Sequence, residues 1–195
     1  MCALSAAMNP SSKGLLGWVC TGGQPSTAVC SGSSSNWGSV TCSAGVVTAV
    51  LLGGYTLVGT IPAEIALLTA LVRLELQSNR ITGTLPTSIG RASGLTYLNV
   101  NGNSLVGVVP DGIGALSSMR YLNLGGNSLT GSLPSTLCLM SSLSFLNIAN
   151  NPLVCYWSCL SSVTSRNVGS VSGCTAGKYC LCYTLVLVSI IFFVF

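Results

Sequence analysis

The chain contains no histidine, and only three acidic and seven basic residues in 195 positions. Each scarcity excludes a class of function. Without histidine, the side chain most used as a general base and as a metal ligand is missing. Glu64, Glu75 and Asp111 are the only carboxylates, and their spacing pairs no two of them for acid–base work. No nucleophile has a base at a plausible spacing, and serine is abundant because turns are. A zinc site would have to be built from cysteine or carboxylate alone, and no paired C-x2-C knuckles are present. Arg73, Arg80, Arg91 and Arg120 stand apart, so the net charge of +4 describes solvated positions and not a nucleic-acid footprint. No N-x-[ST] sequon occurs, because Asn9 is followed by Pro10. Residues 1–27 lack an apolar core of 7–15 residues behind a basic start, and we read them as an incomplete or atypical leader. The expectation is a protein without catalytic residues, metal, cofactor or nucleic-acid partner.

What is present is a repeat. Asn79, Asn103, Asn127 and Asn151 recur every 24 residues, as do Gly59, Gly83, Gly107 and Gly131, and Pro62, Pro86, Pro110 and Pro134. The apolar columns keep the same period: Val50, Leu74, Leu98, Leu122 and Leu146, then Leu52, Leu76, Val100, Leu124 and Ile148. Self-similarity at this period signals a solenoid, whose turns bury an apolar face only by stacking on one another. Each column has a physical task. The L-x-L pair points alternate side chains inward from a short strand. The Asn amide can satisfy backbone groups left unpaired where the chain turns. Gly permits a positive φ or a close approach, and Pro ends the ladder. The run after each Pro carries apolar residues about three apart, which predicts a short helix or 3₁₀ turn on the outer side.

The unit L-x-x-L-x-L-x-x-N-x-L-x-G-x-[ILV]-P, seen in "LVRLELQSNRITGTLP" and "MRYLNLGGNSLTGSLP", resembles the plant-type leucine-rich repeat. Receptor-like proteins and kinases, polygalacturonase inhibitors and kinetoplastid surface antigens carry similar repeats. The resemblance spans residues 46–153 and implies an α/β, right-handed leucine-rich-repeat solenoid, a horseshoe segment with short parallel concave strands, disulfide caps and a C-terminal hydrophobic helix. Ten cysteines suggest an oxidising compartment, and only Cys138 falls between residues 43 and 154. "CSGSSSNWGSVTC" resembles the cap preceding such repeats, which implies a Cys30–Cys42 disulfide with Trp37 covering the first turn; Ser39 alters the usual spacing. Residues 28–45 are thus the N-terminal cap. Cys155 and Cys159 form the expected cap at 154–160, with partners open among each other, Cys138 and Cys174.

Beyond the repeats, residues 161–178 are rich in Ser and Gly and read as a stalk. Residues 179–195, "YCLCYTLVLVSIIFFVF", carry no charge. As a helix they would span about 26 Å, slightly short of a hydrocarbon core of about 30 Å. A membrane-spanning helix and a glycolipid-anchor signal, with Ser170, Ser172 and Gly173 as attachment candidates, both fit. The expected location is the plasma membrane, solenoid outward.

The outward strand positions are the candidate ligand-binding surface. One column holds Arg73, Tyr97, Tyr121 and Phe145, the next Glu75, Asn99, Asn123 and Asn147, and a third includes Asn101. Aromatics beside amides suit a sugar or a peptide, yet the same pairs stabilise a sheet with no ligand at all. Five strands would give a face of about 19 by 17 Å, on the order of 300 Å². That falls well short of the roughly 800 Å² per partner of a standard interface. The expectation is a membrane-attached surface protein recognising an extracellular protein, peptide or glycan. The alternatives are a surface-coat protein without a specific ligand and, by resemblance, an inhibitor of an extracellular hydrolase.

Overall fold

The computed structural model describes residues 38–155 continuously, together with residue 29 and short strands at Cys20–Thr21, Gln24–Pro25, Cys30–Ser31, Ser34–Ser35 and Ser165–Asn167. The expected roles of Trp37 and Cys159, the anchor positions Ser170, Ser172 and Gly173, and the apolar tail with its hydrophobic helix lie outside the described residues, as does the side chain of Cys155. Among the described residues, no helix is long and apolar enough to cross a membrane.

The inward L-x-L columns generate the main sheet. Arg73–Glu75, Tyr97–Asn99, Tyr121–Asn123 and Phe145–Asn147 run parallel in strict register, with Leu74, Leu98, Leu122 and Leu146 as consecutive partners. Val46–Leu51 extends the sheet on one side and pairs antiparallel with Val40–Ser43 at its edge. The other edge was not expected. Ser165–Asn167 lies parallel to Phe145–Asn147, so the sheet has seven strands, and its last one falls inside the Ser/Gly-rich stretch. That strand repeats at 20 residues and not 24, which is why its column escapes a fixed-period reading. Val50, Leu74, Leu98, Leu122 and Leu146 are fully buried. Burying each such side chain contributes about 2 kcal/mol, but only while neighbouring turns close over it.

The Asn column ties turns together. Asn103 donates from its amide to Leu76 O at 2.8 Å in the preceding turn and to Val100 O at 3.0 Å in its own, and accepts from Ile81 N at 3.0 Å. Asn79, Asn127 and Asn151 repeat this arrangement. Three backbone groups at each corner are thereby paired without a regular ladder. At Gly107 φ is +78°, and a Cβ there would lie 3.0 Å from the Thr84 methyl, so the position demands glycine on two counts.

Proline does more than end a strand. Pro62, Pro86, Pro110 and Pro134 each precede a 3₁₀ turn, at Ala63–Leu67, Thr87–Arg91, Asp111–Ala115 and Ser135–Leu139. Their fixed φ pre-sets the chain just before the turn closes. No α-helix occurs among the described residues, so the α/β expectation is corrected: the outer layer is 3₁₀ throughout. Only five residues lie between each Pro and the apolar residue that closes the turn, such as Ala92 after Pro86, too short a run to offset α-helix nucleation.

The N-terminal cap is a hairpin turning through Ala44 and Gly45, both at positive φ as a two-residue hairpin turn needs. The Cys30–Cys42 disulfide forms, with Cα atoms 5.7 Å apart. Cys42 is buried in the core cluster, with Val29 and Tyr55 packed against it. Ser39, the residue that alters the usual spacing, sits in the left-handed region at φ 63° and hydrogen-bonds the Tyr55 hydroxyl. Cys138 is also disulfide-bonded.

Candidate functional site

The sheet register places the outward column in one line. Tyr97 pairs with Tyr121 and Tyr121 with Phe145, and strands about 4.8 Å apart bring such side chains face to face. The rings stack with centroids 4.1 Å apart in both steps and planes within 5°. Arg73 adds a fourth layer: its guanidinium carbon lies 3.9 Å from the Tyr97 ring centroid. Arg73 is held there by Glu75, whose Oε1 accepts from its Nε at 2.6 Å and also pairs with Nη2. A guanidinium over a ring is attracted by the ring quadrupole, and the carboxylate fixes its orientation. Half of the Arg73 side chain is exposed, so this pair is screened by solvent and adds little to stability. Burial, and then a hydrogen bond with Tyr121, raise the Tyr97 phenol above its ordinary pKa of 10.0.

The neighbouring Asn column is less available than its sequence suggests. Asn99 and Asn123 are buried, at 8% exposure each. The side-chain oxygens of Asn99, Asn123 and Asn147 accept from the backbone nitrogens of Asn101, Gly125 and Ala149, two residues on. Asn123 also donates to the Tyr121 hydroxyl at 3.3 Å. These amides brace the strand ends, the local bonding that asparagine commonly makes with its own backbone. Asn101 is half-buried at the following position. Small residues line the third column where a neighbour needs space: a Cβ at Gly125 would lie 2.7 Å from the Asn147 amide.

The arrangement decides what the surface can contact. Both faces of Tyr97 and of Tyr121 are covered, by Arg73 and Tyr121 and by Tyr97 and Phe145. The faces of both tyrosines, on which a sugar would stack, are occupied. The rings instead turn edges and hydroxyls to the concave side, beside the Arg73 guanidinium. Positive ring edges, phenol hydroxyls and guanidinium hydrogens all seek acceptors such as peptide carbonyls. Seven strands make the face about 29 Å across, longer than five would. An extended segment of about nine residues would cross it at 3.3 Å per residue. Sequence reading brought the aromatic column together; it missed Arg73 as a stacking layer, although Arg73 stands at the same phase 24 residues before Tyr97. No group of three or more His, Cys, Asp or Glu able to hold a metal occurs among the described residues.

A stacked parallel sheet, Asn corners, Pro-initiated 3₁₀ turns and a disulfide-closed cap define a leucine-rich-repeat solenoid. The leucine-rich-repeat family description matches residues 69–129 and 93–153. Solved structures agree. The BIR2 ectodomain from Arabidopsis thaliana superposes with a TM-score of 0.74 at 25% identity, over 92% of this chain and 95% of that one. The BIR3–SERK2 complex from the same plant contains a chain matched at 0.72 and 26% identity, over 88% of this chain and 96% of that one. The leucine-rich-repeat ectodomain of the Arabidopsis membrane receptor kinase GASSHO1/SCHENGEN3, solved with CASPARIAN STRIP INTEGRITY FACTOR 2, matches at 0.65 and 30% identity over 69% of this chain and 17% of that one. No curated protein matches by sequence. Residues 69–153 carry the leucine-rich repeat, and the chain resembles the ectodomains of plant leucine-rich-repeat receptors.

Proposed function

We propose that this solenoid is a recognition module whose concave face takes an extended peptide or protein segment outside the cell. The carrying observation is the four-layer stack of Arg73, Tyr97, Tyr121 and Phe145, which turns its edges and hydroxyls toward the concave side. A polypeptide backbone supplies the acceptors that such edges seek, whereas a sugar needs ring faces. The likeness to ectodomains solved with a partner protein supports the same reading. Asn101 and Asn147, at the strand ends, contribute amide donors at the rim. The apolar residues 179–195 would hold the module at the plasma membrane, as a spanning helix or after exchange for a glycolipid at Ser170, Ser172 or Gly173.

The test is a display library of extended peptides against the full chain, repeated with Tyr97→Ala plus Tyr121→Ala. Selected peptides should lose at least tenfold in affinity with the double variant, because removing central aromatic contacts commonly costs over 1.4 kcal/mol. Unchanged affinity would reject the concave site. One observation favours a second reading, a coat protein without ligand: with their faces satisfied by one another, the rings already stabilise the sheet. A library that yields no binder while the double variant loses stability selects that reading. Release from cells by a phospholipase specific for glycolipid anchors would separate the two modes of attachment.

A further inference from the structure

A second concavity lies away from the aromatic stack, on the flank where the lateral strands run into the Pro corners. It is a half-open groove of about 600 Å³ crossing three successive turns, within the size range of ligand sites. Its floor is apolar: Leu85 and Val109 are buried, and Pro110 and Pro134 form the base of the corners. Val108, 59% exposed, stands on its wall. Gly112 keeps the groove open, because a Cβ there would lie 2.6 Å from Thr87 O and force the turns apart. Thr84, Thr87 and Asp111 are exposed along the rim.

Asp111 gives the groove a sign. The chain has three acidic residues. Glu75 is engaged by Arg73, and Asp111 takes part in no ion pair among the described residues. One carboxylate, the hydroxyls of Thr84, Thr87 and Ser132 and an aliphatic floor complement one kind of side chain, an alkyl chain ending in an ammonium. Lysine lays its methylenes on apolar surface and keeps its charged end at the rim. The three turns span about 10 Å, the length of three extended residues. We propose that this lateral groove docks a partner polypeptide through a lysine flanked by aliphatic residues, with the ammonium on Asp111 and the aliphatic stems against Val108 and the proline corners. The surface is separate from the concave face, so one molecule can hold a segment in each.

The experiment titrates the full-length chain with the acetylated, amidated tripeptide Leu-Lys-Leu and with its norleucine analogue, which keeps the stem and lacks the charge. Leu-Lys-Leu should bind about fivefold more tightly than the analogue, the worth of one solvent-exposed ion pair. Asp111→Asn should abolish that difference and leave the analogue's affinity unchanged. Val108→Ser should weaken both, and Tyr97→Ala plus Tyr121→Ala neither, so that failure here and failure of the concave site are told apart. Equal affinity of the two peptides for the unaltered chain, or no binding at millimolar concentration, would overturn the proposal. Butylamine binding as tightly as Leu-Lys-Leu would overturn the polypeptide occupant in favour of a small amine.

Discussion

Two asparagine columns run side by side through this solenoid with the same period, four residues apart, and they do different work. Asn127 bonds across turns: its amide reaches Val100 O at 3.0 Å in the preceding turn and Leu124 O at 3.0 Å in its own, while its oxygen accepts from Leu105 N at 3.0 Å. Asn123 bonds locally, accepting from Gly125 N two residues on and donating to the Tyr121 hydroxyl. Both are nearly buried. Burial and periodicity therefore do not separate them; the destination of the hydrogen bonds does. One column supplies cohesion between repeats. The other shapes the end of each strand and supports the exposed stack.

The comparison can be broken by substitution. Asn127→Ala should cost about 3 kcal/mol, because it strands several buried backbone groups in two turns at once. Urea denaturation would read this as a lower midpoint. Asn123→Ala should cost about 1 kcal/mol, the worth of one lost hydrogen bond to a neighbouring backbone group. Equal losses for the two variants would erase the distinction. Arg73→Ala removes the top layer of the stack and a half-exposed ion pair, and should cost less than about 1 kcal/mol. The smallest effect concerns pH. The Tyr97 pKa is raised in the fold, so its contribution to stability is complete below the unfolded value of 10.0 and is lost as pH rises through the folded one. Phenolate absorbance should lose a late-titrating component in Tyr97→Phe, and Tyr121→Phe should shift that component downward. An unshifted component would show that burial alone raises the Tyr97 pKa, with no contribution from Tyr121.

Most of the fold was legible because the period is strict. Leu98, Asn103, Gly107 and Pro110 each repeat in register, and a fixed period converts directly into a fixed position in space. The Cys30–Cys42 closure was legible by resemblance and is present. Ser165–Asn167 was not legible, since its spacing differs and its composition matches a linker. The site was legible as columns and not as contacts. Sequence gives Tyr97, Tyr121 and Phe145 the same phase, but ring faces are spent or free according to rotamers, which no spacing encodes. The same holds for Asn99 and Asn123, whose oxygens fold back on the chain. The lateral groove depends on the absence of a side chain at Gly112 between two adjacent corners, a depth that only assembled turns possess.

The corner asparagines also give the solenoid a direction. Asn79 serves Leu52 and Leu57, Asn103 serves Leu76 and Ile81, and Asn127 serves Val100 and Leu105, always in the turn before. A turn therefore keeps unpaired backbone groups at its corner unless the asparagine of the next one is in place. Each corner of the folded solenoid is latched by the coil of chain that follows it.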